Sequence, residues 1–234
     1  MVLAQRASAD ATVREAPSTR SGAVGGALYL FAGHSGWDAE ALDARLAQSG
    51  YEPLRQDPGG GGFGLRFWHD PSGWMGGLEF QLALSNESVD QGRQLSLSSG
   101  QLTFQFGRTL YARRHLRTYA MLGAGVGAAS LVVDPLGLPP RAHNPLGFAD
   151  GSSGIQSYSV ALQTLVGLDY LVPLGGSKRG FRALLFGLRA GYNVQPIVSA
   201  WATVSAPGTA THTVDLPRAP SDGAFVHLVI GDAI

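Results

Sequence analysis

Apolar and polar residues alternate with a period of two over most of this chain. Residues 156–172 set the pattern. Tyr158, Val160, Leu162, Thr164, Val166, Leu168, Tyr170 and Val172 share one parity. Ser157, Ser159, Ala161, Gln163, Gly167 and Asp169 share the other, with Leu165 the exception. Successive side chains of a strand point to opposite faces, so this segment reads as a strand with one greasy face and one small, hydrophilic face. The same alternation recurs in 74–85, 102–110, 118–133 and 181–195. Shorter matches at about 27–34, 62–69 and 223–231 bring the expected strands to eight. Leu95 and Leu97 have the opposite parity to Leu102, Phe104 and Phe106, which predicts a bulge near Ser98, Ser99 and Gly100.

The connections alternate in length. Residues 69–73, 113–115 and 173–178 read as tight turns. Residues 35–61, 86–93, 134–154 and 206–222 read as long loops. The first long loop contains a predicted helix at 38–48, built from good helix formers, with Asp38 and Glu40 at its start and Gly50 as its stop. Ala39, Leu42 and Leu46 form its apolar stripe. So short a helix needs a surface to pack on, either the rim of the fold or a partner. Residues 1–24 read as a flexible polar lead, and 25–234 as one domain.

Composition sharpens the picture. Charged residues make up 15% of the 234, against about 25% in an ordinary soluble domain. The formal net charge is zero, which argues against a nucleic-acid partner. The apolar share of 44% argues against disorder. The longest uncharged apolar run, 119–133, falls short of a spanning helix and carries Gly123, Gly125 and Gly127. Charge-poor strands without a membrane helix are reconciled by a closed barrel whose outer face meets lipid. The expected fold is therefore all-β: an eight-stranded antiparallel transmembrane up-and-down β-barrel with a short helix in its first long loop.

Eight alternating strands, the Gly-rich stretch at 119–129 and the rhythm of short turns and long loops resemble small outer-membrane barrels of the OmpA/OmpX/OmpW type. Residues 41–54, followed by a glycine run and 62–68, are similar to Gram-negative barrels with a helix in the first loop. The resemblance covers about 25–234 and implies a location in the bacterial outer membrane. It implies no catalytic residues. It also implies an aromatic final residue, where this chain has Ile234.

Parity assigns the faces. Arg66, Glu79, Gln81, Gln105, Gln163, Asp169, Arg189 and His227 are expected in the lumen. Leu78, Phe80, Leu82, Leu162, Val166, Leu168, Phe186 and Leu188 are expected to face lipid. Tyr158, Tyr170, Tyr192 and Trp74 suit an aromatic girdle. Buried charges need partners, so Arg66 is expected to pair with Glu79, and Asp169 with Arg189, each across a short hairpin. An eight-stranded lumen is about wide enough to be filled by side chains, which favours a plug over a conduit. His34, Ser35 and Asp38 offer the residue types of a hydrolase, but a strand-end turn accounts for them. The six histidines lack metal-ligand spacing, the glycines at 59–64 lack a phosphate-loop lysine, and no cofactor is expected.

The chemistry leaves a structural or partner-binding membrane barrel as the leading expectation, with membrane lipid around it and an envelope protein at its long loops. A narrow solute channel is the alternative, and a lipid-modifying enzyme the third. A soluble lipocalin-like barrel would reverse the two faces.

Overall fold

The computed structural model describes residues 24–36, 39–51, 54, 59–90, 93–135, 154–174, 182–203, 213–218 and 222–234. The strands are β1 (Val24–Ser35), β2 (Gly59–His69), β3 (Trp74–Asp90), β4 (Arg93–Arg113), β5 (Leu116–Pro135), β6 (Gly154–Pro173), β7 (Ala183–Val198), β8 (Trp201–Thr203), β9 (Thr213–Val214) and β10 (Gly223–Ala233). A single helix among the described residues, α1 (Glu40–Gln48), lies between β1 and β2.

Eight strands close into a ring. β1 to β7 pair in chain order, β7 pairs with β10, and β10 returns to β1. Every pair is antiparallel. The first-to-last seam is continuous, from Ala27 opposite Ala233 to Ser35 opposite Phe225. β8 and β9 form a small flap on the upper end of β6. The lead expected at 1–24 lies outside the described residues, apart from Val24, which opens β1.

The bulge expected near residues 98–100 is absent. Ser98, Ser99 and Gly100 pair in unbroken register with Leu84, Ala83 and Leu82 on one side and with Ser130, Ala129 and Ala128 on the other. The register shifts instead between Leu84 and Glu87 of β3, and between Thr109 and Tyr111 of β4. Leu95 and Leu97 share the inward parity of Gln101, Thr103 and Gln105, and all five are buried. The strand does not flip; the interior it faces changes from polar to apolar.

That change is made by α1. Leu42, Leu46, Tyr51 and Leu54 pack with Leu95, Leu97, Leu131, Ile155 and Trp201 into a second hydrophobic cluster at the long-loop end. Burying Leu42 and Leu46 is worth about 1.5–3 kcal/mol each, enough to hold a helix that is marginal alone. The surface the helix needs is thus the barrel's own mouth. Its C-terminus is fixed by a paired turn: the Tyr51 amide donates to the Leu46 carbonyl at 3.0 Å, and the Gly50 amide to that of Ala47 at 3.0 Å. Gly50 takes the positive φ of 84° that this turn requires.

Asp43 ties the returning chain to the helix, its carboxylate accepting the Leu54 amide at 2.8 Å. Burial raises the Asp43 carboxyl above its ordinary range, and the Leu54 hydrogen bond only partly opposes this. A raised folded value means that ionisation works against the cap. Its stabilisation is full below the ordinary Asp range and is lost as pH rises through the raised value. Asp43→Ala should orphan the buried Leu54 amide and cost the cap about 1–3 kcal/mol. Asp43→Asn keeps an acceptor without the charge, and should leave the cap at least as stable at neutral pH. Hydrogen exchange at Leu54 reads both outcomes.

Candidate functional site

The barrel interior is built in layers. Nearest the short turns, Tyr29, Phe31, Trp68, Met75, Tyr119, Met121 and Leu185 belong to the larger hydrophobic cluster. Arg117 of β5 lies over the Trp68 ring at 4.1 Å and pairs with Asp70 at 3.1 Å. Among these rings stand two further arginines, Arg66 and Arg189, and two carboxylates, Glu79 and Asp169, all buried.

The four charges do not pair across hairpins. Arg66 of β2 donates to Asp169 of β6 at 2.7 Å. Arg189 of β7 donates to Glu79 of β3. Both expected pairings are therefore corrected: the partners are exchanged. In a ring of eight, β2 and β6 stand four places apart, as do β3 and β7. Each ion pair is a strut between opposite walls. The neighbouring strand offers no carboxylate in register, since Arg66 faces Gly77 and Arg189 faces Gly167. Glu79 likewise faces Gly64, while Asp169 faces Gly187 on β7 and, on β5, Arg117, which pairs with Asp70.

These glycines make the room. The Tyr29 ring lies over Gly64 and the Tyr119 ring over Gly167, so a Cβ at either glycine would collide with a ring. The tyrosines complete the clasps. The Tyr29 hydroxyl donates to Glu79 at 3.0 Å and the Tyr119 hydroxyl to Asp169 at 3.3 Å. The Arg66 guanidinium sits over both rings, at 4.8 and 4.3 Å, and Arg189 over Phe31 at 4.0 Å. Two positive and two negative charges cancel, so burial does not leave a net charge uncompensated. Sequence reasoning missed Tyr29, Phe31, Tyr119 and Arg117. Their inward parity and the glycines opposite the charged positions were the available signals.

Above the struts lies a layer of amides. Gln105 donates to Gln163 at 2.7 Å, and Gln81 donates to the Ser35 hydroxyl at 3.1 Å. A cavity of about 20 Å³ is lined by Ser35, Gln81, Ser99, Gln101, Asn193 and Gln195 among others. It has room for about one water. The apolar cap of α1 closes over this layer.

Ser35 does meet a histidine, but not the one beside it. His34 is exposed while Ser35 is buried, because adjacent strand residues point to opposite faces. Asp38 lies outside the described residues. The Ser35 hydroxyl contacts His227 Nε2 at 3.3 Å, and His227 Nδ1 contacts Arg189 Nη2 at 3.3 Å. Arginine can only donate, so Nδ1 is the acceptor and the proton of the neutral ring sits on Nε2. That tautomer donates to Ser35 and has no lone pair left to take its proton. The pair has the wrong polarity for nucleophile activation.

The outer face is the inverse of the inner. Leu82, Leu162, Val166, Leu168, Phe186 and Leu188 are exposed, and Leu78 and Phe80 are half-buried at the same outward parity. Exposed apolar residues continue around the ring, including Leu28 and Leu30 on β1, Phe63 and Phe67 on β2, Phe104 on β4, Leu122 on β5 and Leu228 on β10. Tyr158, Tyr170, Tyr192 and Trp74 are exposed too.

No protein-family model and no curated protein matches the chain. Solved structures similar to it include three bacterial proteins. The attachment invasion locus protein Ail of Yersinia pestis aligns at 13% identity over 89% of this chain and 95% of that one, with a TM-score of 0.41. Neisserial surface protein A aligns at 10% identity over 90% and 94%, with a TM-score of 0.42. A major outer membrane protein from Thermus thermophilus aligns at 12% identity over 89% and 98%, with a TM-score of 0.47.

Proposed function

We propose that this chain is an integral barrel of a bacterial outer membrane with a structural or partner-binding role, its long-loop end serving as the interaction surface. The observation that carries this reading is the inversion of polarity. Apolar side chains are exposed on all eight strands of the ring, while Arg66, Glu79, Asp169 and Arg189 are paired inside it. A soluble barrel has no use for that arrangement, whereas lipid requires it. The shortest strands of the ring have 11 residues, and a tilted strand needs about 9–11 to cross the hydrocarbon.

The alternative of a narrow solute channel is opposed by the same interior. Two struts cross the lumen, aromatic rings fill the space between them, and the α1 cap covers the mouth. The cap also relocates the argument for a partner. The apolar stripe of α1 is satisfied by the barrel itself, so the surface left for a partner is the exposed side of α1, with Glu40 and Arg45.

Conductance in planar bilayers tests the reading. The purified barrel is expected to be electrically silent. It should remain silent when residues 38–48 are replaced by a glycine bridge, because the struts lie below the cap. Steady, reproducible conductance of the intact barrel would replace this reading with the channel.

A further inference from the structure

The short-turn end of the barrel is not uniform. Arg117 and Arg182 there are paired, with Asp70 and Asp232 respectively. Arg108, Arg113 and Arg114 have no carboxylate partner among the described residues, and all three are exposed. These three sit on one hairpin, that of β4 and β5. On its β3 side this hairpin projects. β3 stops pairing with β4 at Trp74 opposite Arg108, and the last link is the Thr109 amide donating to the Gly73 carbonyl at 2.7 Å. Beyond it, Tyr111, Ala112 and Arg113 pair with β5 alone. Arg114 turns the tip with a φ of 50°, a conformation glycine enters more readily, so a guanidinium stands there at some backbone cost.

Directly above these charges the apolar surface has a slot. Phe67, Gly76 and Phe106 lie side by side on β2, β3 and β4. Phe67 is 55% exposed and Phe106 is 60% exposed. A Cβ built on Gly76 would meet nothing nearer than 3.8 Å, so the floor between the rings is open. At the foot of the slot Trp74 stacks on Phe106 at 4.8 Å, and the Arg108 guanidinium lies 5.4 Å from the Trp74 ring centre. An aromatic-walled apolar slot thus runs down to a cation held in place by an indole and, among the described residues, without a carboxylate partner.

We infer that this face is a binding site for a net-anionic glycerophospholipid, its phosphate at Arg108 and an acyl chain over Gly76 between Phe67 and Phe106. The inference rests on the membrane reading above. Arg113 and Arg114 supply further positive potential at headgroup level, which favours a lipid carrying net negative charge over a zwitterion. The guanidinium fork suits two phosphate oxygens at once.

Native mass spectrometry of the folded full chain tests it, with phosphatidylglycerol and phosphatidylcholine of identical acyl chains as probes. The barrel is expected to retain phosphatidylglycerol preferentially. Arg108→Gln should lower that retention about fivefold, the effect of one interfacial basic charge. Gly76→Leu should fill the slot and weaken both lipids alike; the open space there lets the variant fold. Equal retention of the two lipids by the natural chain would overturn the site, as would a preference untouched by Arg108→Gln. Insertion into vesicles, scored in parallel, keeps the two readings separate: a barrel that inserts without lipid preference refutes the site alone, and one that fails to insert refutes the membrane reading.

Discussion

Replacing Arg189 with alanine is expected to destabilise the folded barrel by about 3–5 kcal/mol, because it leaves Glu79 buried without its cation. Both side chains of that pair are almost wholly buried, so solvent cannot screen the loss. The Tyr29 hydroxyl still donates to Glu79, but one neutral hydrogen bond does not replace a guanidinium. The sharper result is which second substitution rescues. Removing Glu79 together with Arg189 should recover a large part of the loss, as should removing Asp169 together with Arg66. Combining Arg66→Ala with Glu79→Ala should give no such recovery, although these residues sit on adjacent strands. It removes one end of each strut and leaves Arg189 and Asp169 without their strut partners. Denaturant unfolding in lipid vesicles, followed by tryptophan fluorescence, supplies the coupling energies.

Val166→Arg is expected to cost about 2–4 kcal/mol in a bilayer if the position lies near the midplane. Val166 is 57% exposed in the central part of β6, opposite Ala120 of β5 and Ala190 of β7. On the surface of a soluble protein the same change would fall within about 0.5 kcal/mol of neutral. The gap between those two outcomes is large enough to decide what surrounds this face. Unfolding free energies of the two chains in the same vesicles make the comparison.

The strand pattern was legible in the sequence because each side chain had to choose between two opposed environments. Leu162 and Gln163 are adjacent and point to opposite faces, and their residue types already say so. The ion pairing was not legible, because alternation is a local signal and ring closure is not. Reading hairpins paired Arg66 with Glu79, while the closed ring carries β2 across to β6. The glycines facing all four charged positions marked where side chains must leave the wall and reach inward. Leu95 and Leu97 were misread for a related reason. A polar interior was assumed along the whole strand, so two inward leucines read as a flipped face. They are the floor on which Leu42 and Leu46 of α1 sit. The helix stripe and its seat were both visible in the sequence; that they belonged to each other was a long-range fact.

Single cysteines along β6, scored for access to a lipid-soluble quencher, test the central claim most directly. The chain has no cysteine of its own, so each label reports one site. The inverted barrel predicts an alternating profile in vesicles. Cysteines at Leu162, Val166 and Leu168 should be strongly quenched from the lipid phase. A cysteine at Gln163 should be shielded, because Gln163 lies inside and accepts a hydrogen bond from Gln105. Stronger lipid-phase quenching at position 163 than at 162 would contradict the account and turn the barrel inside out.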